Sequence, residues 1–136
     1  MKLLEHTFRV KPLSANVMTH RNKTIKQKVY LDYQNELRDE LMGQVWPFGS
    51  DQVAFYIVAG MSNKGADLDN ILKPLFDTYQ GIFEEFNDNK VYYTELYKVI
   101  VTKGKEFLHV TVSDLKPEHI KESADYAEKI HTNGVP

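Results

Sequence analysis

Val53-Ala54-Phe55-Tyr56-Ile57-Val58-Ala59-Gly60 is a nearly continuous apolar run, and the rest of the fold has to be arranged around it. The run is rich in β-branched and aromatic residues, a composition typical of a strand that is covered on both faces. We therefore predict that residues 53–60 form the central strand of a sheet. The segments before and after this run must then supply its neighbouring strands and the helices that cover them.

The segments before the central run predict a strand, a loop and a helix. Residues 4–10 have the pattern of a short strand, and the Pro, Ser and Asn residues within 11–16 predict a loop. An amphipathic helix follows, because apolar side chains recur there at spacings of three and four residues: Tyr30, Tyr33, Leu37 and Leu41. Gly43 is the predicted end of this helix.

The segments after the central run predict a second helix, two strands and a last helix. Asp69 is the expected N-cap of a helix that turns Leu72, Leu75, Phe76 and Tyr79 inward. Residues 90–102 and 106–113 have strand patterns joined by a Gly-containing turn, which favours a hairpin. Pro117 can open the last helix. This order of elements predicts an α/β (α+β) fold in which helices cover a mixed sheet.

Length and composition limit the classes of protein to consider. The chain has 136 residues, 42% of them hydrophobic, which predicts one domain spanning 1–136 with one core. It has no cysteine, which excludes disulfides and thiolate metal sites and favours a reducing compartment. No stretch approaches the roughly 20 apolar residues that a membrane span requires, so we expect a protein that is neither secreted nor embedded in a membrane.

Charge is distributed unevenly along the chain. The formal net charge is −2, but residues 1–31 contain seven Lys or Arg and one Glu, a net charge of +6, so the remainder carries −8. Such asymmetry suits a basic arm that contacts phosphates beside an acidic region that holds a metal ion. A solvated basic loop is an equally simple explanation.

Asp67 and Asp69 are the first candidate metal ligands. If the local chain is extended, residues two apart point the same way, and both carboxylates face one point. Two adjacent like charges need compensation, and Mg²⁺ supplies it while receiving the hard oxygen ligands that it prefers. The alternative interpretation makes Asp69 only a helix cap and Asp67 an ordinary loop residue.

A longer pattern surrounds these two carboxylates. Asp67-Leu68-Asp69-Asn70-Ile71-Leu72-Lys73 is followed by Asp77, then by Asn87-Asp88 and finally by Lys98. This pattern resembles the RusA family of Holliday-junction resolvases, whose signature is Asp-x-Asp-Asn-x-x-Lys with further acidic residues and a downstream lysine. The resemblance covers residues 4–113, including a fainter match to a Pro-x-Ser-x-Asn loop at 12–16. Residues 114–136 form a helical extension beyond it.

The resemblance implies a set of functional residues. The family's catalytic metal-binding carboxylates correspond to Asp67, Asp69 and Asp88, its active-site lysine corresponds to Lys73, and its members act as Mg²⁺-dependent homodimers, with Mn²⁺ as a substitute metal. Asn87 stands where many members have a second acid. Lys73 could instead form an exposed ion pair with Asp69, four residues before it.

Further side chains are assigned supporting or binding roles. Asn70 is expected to hydrogen-bond near the metal or to fix the loop, and Asp77 is expected to orient Lys73. Residues proposed to contact DNA phosphates are Arg21, Lys23, Lys26, Lys28 and Lys98. A base-stacking role for Tyr92, Tyr93 and Tyr97 is less favoured than half-buried positions in the core. The histidines lack metal-ligand spacing, so no zinc site is predicted.

The expected function is that of a Mg²⁺-dependent endodeoxyribonuclease that resolves four-way DNA junctions in recombination and repair. The resemblance implies action in the cytoplasm of a bacterial or phage-infected cell, with branched DNA and a second copy of the chain as partners and no membrane association. Two alternatives stay open: a general metal-dependent nuclease acting on branched replication intermediates, and a non-catalytic protein that binds DNA junctions. A third alternative is a structural or interaction protein in which the carboxylates occur at this spacing by chance.

Overall fold

In the computed structural model, residues 2–14 and 23–133 are described, with side chains described for 2–14 and 28–132. The described part forms one small α+β domain, a mixed four-stranded sheet with three helices, as predicted. The elements are β1 (Leu3–Phe8), α1 (Lys23–Leu41), β2 (Val53–Met61), α2 (Leu72–Ile82), β3 (Val91–Ile100), β4 (Phe107–Asp114) and α3 (Pro117–Asn133).

The sheet has the strand order β1-β4-β2-β3. β2 pairs with β3 in parallel and with β4 antiparallel, and β4 also pairs antiparallel with β1. Seven of the nine residues of β2 are buried. The prediction of a central strand at residues 53–60 is therefore confirmed.

The predicted hairpin of residues 90–102 and 106–113 is wrong. β3 and β4 lie on opposite sides of β2, so the turn at Thr102–Lys105 carries the chain across the end of β2 instead of joining two paired strands. The crossing spans about 10 Å, two strand spacings, which the connecting residues can cover. Gly60 permits it, since a Cβ there would lie 2.4 Å from the ring of Phe107.

One face of the sheet carries the hydrophobic core. Alternate residues of β2 and β4 point to this face, and α1 and α2 pack over it with Leu37 and Tyr79 fully buried. Trp46 packs against Phe48, Phe83 and Phe86 at the end of the sheet where β2 begins. This packing fixes α2 across β2 and thereby sets where the loops before and after α2 emerge.

The boundaries of the helices differ from the predictions in two places. α1 begins at Lys23, seven residues before the predicted start, so part of the basic segment belongs to this helix. Gly43, at φ 88°, lies in the turn after α1 as predicted. Asp69 is not an N-cap: it begins a 3-10 turn, Asp69–Ile71, that has no side-chain cap and leads into α2 at Leu72.

The opposite face of the sheet meets α3. Pro117 is the first residue of this helix, as predicted. Lys116 lies over the ring of Tyr56 on β2, and His119 stacks on Tyr93 of β3 with the ring centres 3.9 Å apart. Among the described helices, none is long and apolar enough to span a membrane.

Candidate functional site

The loop between β2 and α2 carries the first two candidate carboxylates. It begins with a turn in which the Asn63 side chain accepts a hydrogen bond from the backbone N–H of Gly65 at 2.9 Å. Leu68 has helical backbone angles, φ −67° and ψ −40°. The segment from Asp67 to Asp69 is therefore not extended, and the argument that both carboxylates point the same way does not hold. Both side chains are exposed to solvent.

Lys98 holds this loop against the sheet. It lies on β3 beside Ala59 of β2, and its Nζ donates hydrogen bonds to the carbonyl oxygens of Lys64 at 2.7 Å and Ala66 at 2.6 Å. These contacts fix the backbone immediately before Asp67. The structure thus engages the ammonium of Lys98 with the loop, whereas the sequence suggested a contact with DNA phosphates.

Lys73 lies on the first turn of α2 and forms an ion pair with Asp77. The distance from Lys73 Nζ to Asp77 Oδ2 is 3.3 Å, and the lysine side chain is 66% exposed. The Tyr30 hydroxyl on α1 donates to the same Asp77 oxygen at 2.9 Å. Burial, with a further contribution from Asp77, raises the pKa of Tyr30, so its hydroxyl keeps the proton that it donates.

This arrangement confirms the expected contact between Asp77 and Lys73. The alternative pairing of Lys73 with Asp69 is not formed in the structure. Because the ion pair is exposed, its contribution to stability is small, roughly 0.3–0.5 kcal/mol for an i,i+4 pair. Its main effect is to restrict where the ammonium can lie. Asn70 is half-buried within the 3-10 turn between Asp69 and α2.

Asp88 lies at the other end of the domain. It begins a 3-10 turn before β3, where Asn87 caps the turn by accepting a hydrogen bond from the N–H of Asn89 at 3.1 Å. The N–H of Asp88 donates to Gln80 Oε1, near the end of α2, at 3.2 Å. Asp69 precedes the start of that helix, which rises about 15 Å from its first to its last residue.

Within one copy of the chain, Asp88 therefore lies far from Asp67 and Asp69. The parallel pairing of β2 and β3 agrees with this, since Asp67 follows the carboxyl end of β2 whereas Asp88 precedes the amino end of β3. Within the described side chains, no three from the His, Asp and Glu classes lie close enough to hold a metal ion together. Without Asp88, the exposed carboxylates of Asp67 and Asp69 still supply oxygen donors. Such oxygens suit Mg²⁺ when water molecules complete its coordination shell.

A cleft of about 670 Å³ opens beside Asp67. Its walls are the segment 11–14, one side of α1, the loop after β2 and the residue before β4. Four carboxylate residues line it together with one lysine: Asp32, Glu36, Asp67, Glu106 and Lys11. The sequence did not single out Glu106, because its partners are brought to it only by the crossing between β3 and β4.

Glu106 ties two loops together at this cleft. Its carboxylate accepts hydrogen bonds from the Ser62 hydroxyl at 2.8 Å and from the Gly104 N–H at 2.7 Å. Its own backbone N–H and then Ser62 are the main causes that lower the pKa of Glu106. The ionised form therefore holds the end of β2 and the turn after β3 together near Asp67.

The proposed phosphate-binding residues of the N-terminal segment are only partly described. Arg21 lies outside the described residues, and Lys23 and Lys26 lie on α1 with side chains outside the described set. Lys28 is exposed and forms an i,i+4 ion pair with Asp32 at 2.9 Å. Lys28 thus contacts Asp32, one of the residues that line the cleft beside Asp67.

Two tyrosines differ from their expected environment. Tyr92 and Tyr97 are 65% and 58% exposed, so the prediction of half-buried core positions is wrong for them, while Tyr93 is half-buried beneath His119. β3 is an edge strand, and this position in the sheet leaves the two side chains exposed.

Comparison with models of known protein families and with curated protein sequences finds no match to this chain. The functional assignment therefore depends on the spaced motif at residues 67–98 and on the geometry that surrounds it.

Proposed function

We propose that this chain is a Mg²⁺-dependent endonuclease that acts on branched DNA as a homodimer. The observation that carries the proposal is the junction of loop and helix at residues 67–73, where two exposed carboxylates precede a lysine whose ammonium is held in place. Mg²⁺ is usually bound through one or two carboxylates and keeps several waters. The junction thus combines ligands for the metal with a cation for phosphate.

The residues of the junction have complementary roles in hydrolysis. Asp67 and Asp69 would hold Mg²⁺ through their carboxylate oxygens, and the bound ion would supply an activated water and compensate charge on the phosphoryl oxygens. Lys73 adds a positive charge beside the scissile phosphate, where negative charge grows in the transition state. Asp77 positions Lys73, and Tyr30 positions Asp77 through its 2.9 Å hydrogen bond. Lys98 keeps the backbone before Asp67 in one conformation.

Asp88 contributes to this site from a second copy of the chain. In one copy, α2 separates it from Asp69, and its exposed position leaves it free to reach another molecule. A two-fold dimer contains two equivalent sites, each formed by Asp67 and Asp69 of one copy and Asp88 of the other. Dimerisation is then a requirement for a complete set of three carboxylates.

A four-way junction is the substrate that suits such a dimer. The strands to be cut in a junction are related by two-fold symmetry, and a two-fold dimer presents one site to each. The resemblance to the RusA family favours the same substrate. A junction-binding protein without cleavage is the second candidate, favoured by the absence of a three-carboxylate group within the described part of one copy.

Nicking of a labelled synthetic four-way junction in Mg²⁺ tests the proposal, with linear duplex as the competing substrate. We expect paired cuts in the junction, little cutting of the duplex, and loss of cutting in Asp69→Asn and Asp88→Asn. Asp39→Asn, an exposed acid on α1, is the matched control and should cut normally. Equal cutting of duplex would indicate a general nuclease, and junction binding without cutting would indicate the non-catalytic binder.

Mixed dimers test whether the site is shared between copies. Asp69→Asn and Asp88→Asn chains are each expected to be inactive, but their co-refolded mixture should recover about a quarter of the normal number of sites, since half of the dimers are mixed and each has one intact site. Such dimers should produce a single nick and not paired cuts. A mixture that stays inactive would place all three carboxylates in one copy. Binding of Mn²⁺, followed by its paramagnetic signal, measures metal loading separately.

A further inference from the structure

β3 is an open edge of the sheet. It pairs with β2 on one side, and no described residue hydrogen-bonds its outer side. Of the eleven large hydrophobic side chains that are exposed in the described residues, six lie on β3 and α3: Tyr92, Tyr97, Val99, Ile100, Ile120 and Tyr126. A long edge strand with exposed apolar residues is a template for pairing with another strand.

α3 continues past this edge. After β4 the chain crosses the sheet toward this edge. Lys116 lies over Tyr56 of β2, and His119, in the first turn of α3, lies over Tyr93 of β3. From 121 to 129 every residue is exposed, so the helix leaves the sheet after its first turn. Its apolar positions, among them Ile120 and Tyr126, thus extend over the space that a strand added to β3 would occupy.

We propose that a second copy of this chain pairs its β3 antiparallel with this β3, so that the two sheets become one eight-stranded sheet. This interface rests on the proposed function in one respect, because it is the dimer that the shared site requires. A two-fold axis perpendicular to the sheet relates the copies and keeps both α3 helices on one face. Each α3 then covers the β3 of the other copy.

The side chains of β3 select the register. Tyr93 faces α3 and Leu96 packs toward the core, so alternate residues 93, 95, 97 and 99 share the α3 face. Residues directly opposite each other in an antiparallel pair must share a face of the sheet. The two-fold axis must therefore lie where a residue of one copy is opposite the same residue of the other copy. An axis at Glu95 would set two carboxylates opposite each other, which is unfavourable.

An axis at Leu96 satisfies these conditions over the longest stretch. It sets Glu95 of one copy opposite Tyr97 of the other, where the phenol can donate to the carboxylate, and Tyr93 opposite Val99. Because α3 crosses β3 at Tyr93, its continuation then lies over Val99 and Tyr97 of the second copy. The same contact buries Tyr97 and Val99 of the strand together with the exposed apolar residues of the helix.

The antiparallel pairing also accounts for the divided carboxylates. The amino end of one β3, preceded by Asp88, lies beside the carboxyl end of the other. That is the end at which Lys98 holds Ala66 and hence the loop before Asp67. The interface therefore brings Asp88 of one copy to the same end of the sheet as Asp67 and Asp69 of the other.

Cross-linking tests the interface directly, because the chain has no cysteine of its own. Leu96→Cys places a thiol on the proposed axis, where facing Cα atoms fall within the range of a disulfide. We expect mild oxidation to give a covalent dimer of this variant and none of Leu3→Cys, the matched control on the other edge strand. A dimer that cross-links through Leu3→Cys, or a chain that stays monomeric at all concentrations, overturns the proposal.

Exposed substitutions at Tyr97 test the register without disturbing the core. Tyr97→Glu places a carboxylate opposite Glu95 twice per dimer and should raise the dimer dissociation constant about tenfold, whereas Tyr97→Lys should preserve dimerisation. Equal effects of the two, measured by sedimentation, would refute the register. Mixed-dimer nicking without cross-linking at Leu96→Cys would leave the proposed function standing and refute this interface. Cross-linking at Leu96→Cys without nicking would support this interface and refute the proposed function.

Discussion

Replacing Lys98 by methionine distinguishes a residue that fixes the loop from one that binds DNA. The substitution keeps an unbranched side chain that is one atom shorter, and it removes both hydrogen bonds to the carbonyls of Lys64 and Ala66. A hydrogen bond to a charged group contributes about 1.5–3 kcal/mol when it is buried. Lys98 is half-buried and water can reach the loop, so we expect the two bonds together to contribute about 1–2 kcal/mol.

The assay combines thermal unfolding with DNA binding. For a domain of this size, the loss corresponds to a decrease of about 3–7 °C in the melting temperature. A lysine that contacts a phosphate contributes about 0.9 to the slope of log affinity against log salt concentration, and a lysine that fixes the loop contributes nothing. We expect Lys98→Met to melt earlier, to bind DNA with an unchanged salt slope and to cut slowly, because the backbone before Asp67 is released.

Lys103→Met is the matched control for this experiment. Lys103 lies exposed in the turn after β3, so its loss should leave the melting temperature unchanged. A Lys98→Met variant with a normal melting temperature and a reduced salt slope would refute the reasoning, since Lys98 would then act on DNA and not on the loop.

Three other substitutions test the fold around the site. Glu106→Gln should destabilise the protein at neutral pH. Because the folded pKa of Glu106 is lowered, the difference from the natural chain should be complete above the ordinary carboxyl pKa of 4.5 and should disappear as the pH falls through the lower, folded pKa. Unfolding at several pH values measures this difference. Gly60→Ala should lower the free energy of unfolding by about 1–3 kcal/mol, because a Cβ meets the Phe107 ring, and Phe107→Leu in the same chain should restore part of it in denaturant titrations. Leu75→Ala, which opens a cavity under α2, should cost about 2–5 kcal/mol by the same titration, and a loss below 1 kcal/mol would mean that α2 is not packed as described.

The elements with a strong periodic pattern could be predicted from the sequence. The apolar run of β2 and the inward positions of α2, including Leu75 and Tyr79, are dictated by burial, which a sequence displays directly. The pairing of β3 and β4 could not be predicted in the same way. A turn with Gly104 shows that the chain reverses, but whether a third strand lies between the two depends on contacts distant in sequence.

For the candidate site, the sequence shows which residues are near neighbours along the chain, but it does not show which distant residues join them. The spacing of Asp67, Asp69 and Lys73 places them at one junction because they are neighbours in sequence. The position of Asp88 depends on the parallel crossover through α2, which the spacing does not encode. Lys98 illustrates the same limit, since its partners are backbone carbonyls, which no side-chain pattern can show.

The aromatic packing at the start of β2 gives the molecule an optical probe at a useful place. Trp46 is the single tryptophan of the chain, and it touches Phe83 and Phe86, which lead directly to Asn87 and Asp88. Its emission therefore senses the end of the domain that carries Asp88, while the loop with Asp67 is distant from it. A change in fluorescence when metal or a second molecule is added would locate that event at the Asp88 end without attaching a dye.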